Sequence, residues 1–124
     1  MTKKVLIVDD EPNIVISVEY LLSLEGFEVL VARDGEEGLT QIRADRPDLV
    51  VLDIMMPKLD GFEVCRAVRA DPTLAGVRIL MLTAKGREAE IAKGLSLGAD
   101  AYIPKPFSTR ELVAKVKELI GSGN

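Results

Sequence analysis

The chain of 124 residues has the length of one domain, and its 48% hydrophobic and 29% charged residues predict a globular fold rather than a disordered segment. The net charge of -4 argues against a general nucleic-acid-binding surface, and no apolar stretch is long enough to span a membrane. The absence of histidine excludes His-based triads and His-ligated zinc, while a single cysteine, Cys65, excludes an internal disulfide and indicates a cytoplasmic protein.

Apolar runs alternate with helical repeats along the chain, which predicts five strands and five helices in one domain over residues 1–124. The third strand is the most apolar and is expected at the centre of the sheet, because strands buried on both faces lack alternation. This alternation favours a parallel sheet, doubly wound by helices, with the strand order 2-1-3-4-5. The predicted strands span about 4–8, 27–31, 49–52, 77–82 and 100–103, and the helices begin near Pro12, Asp34, Gly61, Arg87 and Ser108.

Four of these strands end at polar residues. The first is followed by Asp9 and Asp10, the third by Asp53 and the fourth by Thr83, while the fifth runs into Lys105. Parallel strands share one carboxyl edge, and open α/β sheets bind ligands at that edge. We therefore expect these five side chains to meet there, with the three carboxylates at the point where the direction of winding reverses.

Three neighbouring carboxylates repel one another, and a divalent cation relieves that repulsion. No soft ligand is nearby, so Mg²⁺ is favoured over zinc, with Mn²⁺ as the second choice. Asp10 and Asp53 are the best direct ligands. Asp9 is expected to hold a metal-bound water, and a backbone carbonyl near Met55 to complete the set.

The remaining polar groups suit a phosphoryl group. Lys105 supplies a fixed positive charge, and Thr83 with the backbone N–H of Ala84 supplies hydrogen-bond donors. A carboxylate without a histidine or serine partner can itself be the nucleophile, and Asp53 is the best candidate because it ends the central strand. A cis peptide bond before Pro106 is expected to direct Lys105 into the crevice.

These residues lie within four segments: VLIVDDE at 5–11, VLDIMMPKLDG at 51–61, LTA at 82–84 and GADAYIPKPF at 98–107. Together the segments resemble the receiver domain of two-component response regulators, and the resemblance covers essentially the whole chain. It implies a flavodoxin-like fold like that of the chemotaxis regulators. It also implies a signalling switch that catalyses only its own phosphorylation and dephosphorylation.

The resemblance implies a separate role for each site residue. Asp53 would accept the phosphoryl group from a phosphohistidine of a sensor histidine kinase or a phosphotransfer protein. Thr83 and Lys105 would contact that group, and Tyr102 would turn inward as Thr83 moves toward it. The implied Mg²⁺ site consists of Asp9, Asp10, Asp53 and the backbone carbonyl of Met55.

The output surface of the family is formed by the fourth helix, fifth strand and fifth helix. In this chain the surface carries charges of both signs, which fits cross-pairing in a two-fold homodimer. The pattern resembles receivers attached to winged-helix DNA-binding domains, although Asp100-Ala101 stands where those commonly have two acidic residues. No direct binding of nucleic acid or membrane is expected for this domain. The charged residues are Lys93, Asp100, Arg110, Glu111 and Lys115.

Two other functions remain open. A Mg²⁺-dependent phosphohydrolase can use the same carboxylates, but such enzymes usually have a second Asp two residues after the nucleophile, where this chain has Met55. An interaction module that works without phosphorylation is the other alternative. Met55 and Lys85 also match positions that tune water access in the receiver family, which predicts a slowly hydrolysed aspartyl-phosphate.

Overall fold

The computed structural model describes residues 2–84 and 86–121. The expectation on Lys85 and the outermost ends of the predicted 1–124 domain lie outside these residues. The strands are β1 (Lys4–Val8), β2 (Glu28–Ala32), β3 (Leu49–Asp53), β4 (Arg78–Ala84) and β5 (Ala101–Lys105). The helices are α1 (Pro12–Leu24), α2 (Gly35–Asp45), α3 (Gly61–Arg69), α4 (Glu88–Ser96) and α5 (Thr109–Ile120), with a short 3-10 helix at Pro72–Leu74.

The sheet is parallel in the order β2-β1-β3-β4-β5, so the predicted fold is confirmed. One face packs against α1 and α5, and the other packs against α2, α3 and α4. Alternate residues of β1 serve the two faces, with Val5 and Ile7 on the α1 side and Leu6 and Val8 on the α2 side. The apolar residues of the central strand, 49–52, are fully buried, as their lack of alternation predicted.

Three of the polar residues at the site, Asp53, Thr83 and Lys105, belong to their strands instead of following them, whereas Asp9 and Asp10 follow β1. β4 continues two residues beyond its predicted end, to Ala84, and β5 continues to Lys105. The cause is continued pairing, because Thr83 lies opposite Pro104 and Ala84 opposite Lys105. A proline is tolerated at position 104 because β5 is an edge strand.

Side-chain caps begin three of the helices and thereby define where the preceding loops end. The carboxylate of Asp34 accepts a hydrogen bond from the N–H of Glu37 at the start of α2. The hydroxyl oxygen of Ser108 accepts in the same way from the N–H of Glu111 at the start of α5. Asp60 and Glu63 form a reciprocal capping box at α3, which the sequence reading had not identified.

Among the helices that the structure describes, none is long and apolar enough to cross a membrane.

Candidate functional site

Three carboxylates meet at the carboxyl edge of the sheet. Asp9 and Asp10 follow β1, and Asp53 is the last residue of the neighbouring strand β3. Each contributes a carboxylate oxygen, and these three oxygens all lie within 4.8 Å of one another. Asp9 and Asp53 are buried, whereas Asp10 is exposed. The predicted convergence of the three side chains is therefore confirmed.

Lys105 joins this group from the other side of β4. Its Nζ atom lies 3.3 Å from Oδ2 of Asp9 and 3.3 Å from Oδ1 of Asp53. The peptide bond between Lys105 and Pro106 is cis. Both the cis bond and the position of Lys105 in the crevice agree with the sequence prediction. Burial lowers the pKa of Lys105, but the charges of Asp53 and Asp9 outweigh burial and raise the pKa above its ordinary value. The ammonium group is therefore a permanent positive charge at neutral pH.

The carboxyl group of Asp53 is held in an unfavourable environment for a charge. Burial first, and the negative charge of Asp9 second, raise its pKa, and the net effect of all its neighbours is a rise from 3.8 to about 6. Lys105 and the backbone N–H of Met55 act in the opposite direction but do not cancel the rise. Within the part of the chain that the structure describes, the single ammonium group of Lys105 therefore leaves this cluster of carboxylates under-compensated.

The donor set fits a hard divalent cation. Asp9 already uses both carboxylate oxygens, accepting the N–H of Glu11 at 2.9 Å and the ammonium of Lys105. Asp10, which is exposed, and Asp53, whose carboxylate is under-compensated, remain the better direct ligands. All the available side-chain ligands in this cluster are carboxylate oxygens, which suit Mg²⁺ or Mn²⁺ and not a thiophilic metal.

The hydroxyl group of Thr83 is buried without a partner. Thr83 is 1% exposed, and its Oγ1 atom is the buried side-chain polar atom that makes no hydrogen bond among the described residues. A buried hydroxyl without a hydrogen-bond partner costs about 1–3 kcal/mol of stability. The presence of such a group at this position points to a ligand that the hydroxyl contacts. Thr83 lines the same crevice as Asp53 and Lys105.

Two further predicted residues border this crevice. Ala84 and Met55 both line it, and the side chain of Met55 is 71% exposed at its mouth. The amide of Met55 acts on the Asp53 carboxylate, as its effect on that pKa indicates. The contact of the Ala84 N–H with a phosphoryl group and the ligand role of the Met55 carbonyl stay predictions.

Tyr102 lies away from the carboxylates. It is on β5 opposite Met81, is 40% exposed, and lines a second cavity between β5 and α5 together with Leu95 and Glu111. The structure therefore holds the ring on the predicted output surface and outside the acidic crevice. Its role as a switch residue stays a prediction.

Several charges of that surface are already paired within the chain. The ammonium of Lys93 lies 4.4 Å from the centre of the Phe62 ring on α3. Asp100 pairs with Arg69 and Arg78, and Lys115 pairs with Glu118 on its own helix. Cross-pairing in a homodimer would have to compete with these contacts.

The crevice also has an apolar wall that the sequence reading missed. Ile14 and Val18 of α1 and Phe107 line the same cavity of about 720 Å³ as Asp53. Val18 is buried at this wall, whereas Ile14 is only half-buried. The available signal was that Ile14 lies in the first turn of α1, shortly after Asp10 in the chain.

Known proteins share both this sequence and this fold. A family model described as the response regulator receiver domain matches residues 5–117. The alkaline phosphatase synthesis transcriptional regulatory protein PhoP of Bacillus subtilis is 50% identical over 120 residues, which are 97% of this chain and 49% of PhoP. The DNA-binding response regulator MtrA of Mycolicibacterium smegmatis is 46% identical over 117 residues, which are 94% of this chain and 50% of MtrA. The chain thus spans about half the length of these curated relatives.

Solved structures agree with this relationship. The chemotaxis protein CheY4 of Vibrio cholerae superposes with a TM-score of 0.90 at 33% identity, covering 97% of this chain and 100% of that chain. The matched residues 5–117 include all four segments that carried the resemblance. The chain belongs to the response regulator receiver domain family of two-component signalling proteins.

Proposed function

We propose that Asp53 accepts a phosphoryl group from a phosphohistidine of a sensor histidine kinase or a phosphotransfer protein, in a Mg²⁺-dependent reaction. The observation that carries this proposal is the position of Lys105, whose ammonium lies 3.3 Å from both buried carboxylates, Asp53 and Asp9. A nucleophile and a fixed cation are thereby side by side at the edge where parallel sheets bind ligands.

The transfer itself requires little covalent chemistry from the protein. An Asp53 oxygen forms a bond to phosphorus while the bond from phosphorus to the donor imidazole nitrogen breaks, and that electron pair stays on the nitrogen. Lys105 would offset charge on the phosphoryl oxygens, and the Thr83 hydroxyl and Ala84 N–H would donate hydrogen bonds to them. The unpartnered state of the Thr83 hydroxyl supports this assignment.

Asp10 and Asp53 would hold a divalent cation directly, with Asp9 and the Met55 carbonyl as the other proposed contacts. When bound, Mg²⁺ (or Mn²⁺) would neutralise the phosphoryl oxygens and the carboxylates together. The close approach of the three carboxylate oxygens supports this proposal, since Lys105 is the one cation that the described residues place against them.

Phosphorylation would then act as a switch. It adds about −1.5 to −2 charges and strong acceptor oxygens next to Thr83 and Lys105. The equilibrium shifts only as far as one conformation satisfies those acceptors better than the other. Movement of Thr83, with Tyr102 turning inward, would alter the surface formed by α4, β5 and α5 and so control an output partner or a homodimer.

The similarity to PhoP and MtrA extends the proposal to the whole protein. We infer that residues 1–124 form one receiver domain of a transcriptional regulator, with nucleic acid bound outside this domain. The net charge of -4 supports the second part, because a DNA-binding surface needs a basic patch.

Acetyl phosphate and Mg²⁺ test the proposal without a cognate kinase. Intact mass after incubation should show one phosphoryl adduct on the wild-type chain, none on Asp53→Asn, and none when a chelator removes the metal. An adduct that persists in Asp53→Asn would contradict the assignment of the nucleophile. Continuous release of phosphate from p-nitrophenyl phosphate would instead indicate the phosphohydrolase, and Mg²⁺ binding with no adduct would indicate the interaction module.

A further inference from the structure

The loop that follows Asp53 rests against the first turn of α2. This loop, residues 54–60, leads from β3 to α3 and carries Met55 near its start. A methyl group added at Gly35 would lie 1.9 Å from the carbonyl oxygen of Leu59 and 2.8 Å from its Cβ. No side chain can be placed at position 35 while the loop keeps this position.

Glycine is required at position 35 by space and not by backbone conformation. The φ angle of Gly35 lies outside the left-handed range, so any residue can adopt this backbone. Gly35 is the first residue of α2, where alanine would ordinarily stabilise the helix because it has the higher helix propensity. The close approach of Leu59 is therefore the feature that the glycine serves.

The loop also has other supports. Ile54 is buried, Met56 and Leu59 pack against the core, and Asp60 shares a capping box with Glu63. At its base the N–H of Gly61 donates to the carbonyl of Ile54 at 2.9 Å. Near its far end Lys58 pairs with Asp34 at 3.7 Å, but the lysine is 59% exposed and such surface pairs contribute little. Leu59 meets Gly35 in the outer part of the loop, where a side chain on α2 would collide with it.

The helix side of this contact is the more rigid partner. Leu39 and Ile42 of α2 are core residues, and Gly38 lies so close to Val8 that a methyl group there would be 2.8 Å from its Cγ1. At the loop base, a methyl group on Gly61 would lie 2.6 Å from the carbonyl oxygen of Asp53, so the base is also tightly packed. A group added at position 35 would therefore displace the loop between its two ends.

We propose that Gly35 is a positioning residue for the site: its missing side chain lets Leu59 rest on α2, and this contact sets where the loop holds Met55 beside Asp53. The inference rests on the proposed roles of Asp53 and Met55 in binding the cation and the phosphoryl group. It adds a residue of another element that acts on the site only through the loop.

The experiment compares Gly35→Ala with Gly38→Ala. Both add one methyl group to the first turns of α2 at a crowded position, but only the first meets the loop. We expect Gly35→Ala to weaken Mg²⁺ binding about tenfold, as loss of a supporting contact around a metal site does, while Gly38→Ala binds Mg²⁺ like the wild type. Chemical unfolding of both variants measures their stability. Equal weakening in the two variants, or normal Mg²⁺ binding by Gly35→Ala, would overturn the proposal.

A second measurement separates this inference from the proposed function. In the metal-free protein, ¹⁵N amide spectra should show shifts at Ile54, Met55 and Gly61 in Gly35→Ala that are absent in Gly38→Ala. If the wild-type chain binds no Mg²⁺, the proposed function fails, and these shifts alone decide whether Gly35 positions the loop; their absence overturns it.

Leu59→Gly tests the contact from the loop side and leaves α2 untouched, so the conclusion does not depend on the folding of Gly35→Ala. It removes a side chain that packs against the core and frees the backbone at the contact. We expect the same amides to shift and Mg²⁺ binding to weaken. Unchanged amide positions and unchanged binding in Leu59→Gly would count against the proposal.

Discussion

The two edges of the sheet both carry aspartates, but their carboxylates differ in how well they are satisfied. At the amino edge, Asp48 accepts the N–H of Lys4 at 2.7 Å, and Asp100 accepts the N–H of Ile79 and the guanidinium of Arg69, both at 2.8 Å. These carboxylates accept hydrogen bonds from backbone N–H groups near the starts of strands. The charge of Asp100 is also balanced by the neighbouring guanidinium of Arg69.

At the carboxyl edge the same residue type is left under-compensated. Among the described residues, the clustered carboxylates of Asp9, Asp10 and Asp53 have one ammonium group beside them, which pairs with Asp9 and Asp53, and the hydroxyl of Thr83 has no partner. One edge uses its carboxylates to hold strands in place, and the other keeps charge and a hydrogen-bond donor available for a ligand.

Removing the cation from the carboxyl edge should have the largest effect. In Lys105→Met we expect phosphoryl transfer from acetyl phosphate to slow by about 100- to 1,000-fold, the usual loss when one group that stabilises transition-state charge is removed. Time courses of intact mass in saturating Mg²⁺ measure the rate. Arg78→Ala removes a cation from the other edge and is the matched control, for which an unchanged rate is expected. A Lys105→Met rate near that of the wild type would break the distinction between the edges.

The raised pKa of Asp53 predicts that the free site destabilises the fold. With a pKa of about 6 in the folded state and 3.8 as the reference, the folded protein holds a proton that the unfolded chain releases between these values. The contribution of this group to stability is therefore largest below pH 4 and is lost as pH rises through 6. Two pKa units set an upper limit of about 3 kcal/mol on the effect.

Asp53→Asn should accordingly stabilise the metal-free protein at pH 7.5, by an amount that shrinks as the pH falls to 4. Urea unfolding at several pH values, with a chelator present, gives the two free energies of unfolding. A loss of stability at pH 7.5 would show that the carboxylate of Asp53 is favourably placed, contrary to this account.

At the amino edge, removal of a carboxylate should lower the free energy of unfolding instead of raising it. Asp100→Ala leaves the N–H of Ile79 without its acceptor and Arg69 without its anion, and we expect a loss of about 2 kcal/mol in the free energy of unfolding. Phosphorylation should proceed at the wild-type rate. Arg78→Ala, whose guanidinium is more than half exposed and 3.5 Å from Asp100, should lose much less. A stable Asp100→Ala variant with slowed phosphorylation would reverse the roles given to the two edges.

The smallest effect is expected at the mouth of the site. Met55 is an exposed apolar residue beside Asp53, and we expect Met55→Asn to shorten the half-life of the phosphorylated form by admitting and orienting water. Decay of the intact-mass adduct after removal of acetyl phosphate measures this half-life. Equal half-lives in the two proteins would contradict shielding by Met55.

The sequence was sufficient for the fold and for the residues at the carboxyl edge. Apolar runs gave the strands, and the polar residues at their ends, such as Asp53 and Thr83, could be assembled because parallel strands share one edge. The exact strand ends could not be read this way. Hydropathy records burial, whereas β4 extends to Ala84 because of pairing with β5.

Contacts between distant segments were also beyond the sequence pattern. Nothing in the local sequence of Asp100 indicates that Arg69 would approach it from α3, and the charge had been assigned to a dimer surface. The requirement at Gly35 was hidden for a related reason. A glycine at the start of a helix is unremarkable locally, and only the position of Leu59 explains it.

Mapping the phosphorylated residue tests the central claim most directly. Borohydride reduces an acyl phosphate to an alcohol and leaves free carboxylates unchanged, so a phosphorylated aspartate becomes homoserine. After treatment with acetyl phosphate and Mg²⁺, peptide sequencing by mass spectrometry should find homoserine at position 53 alone. Homoserine at Asp9, at Asp10 or at the amino edge, with Asp53 unmodified, would contradict the account.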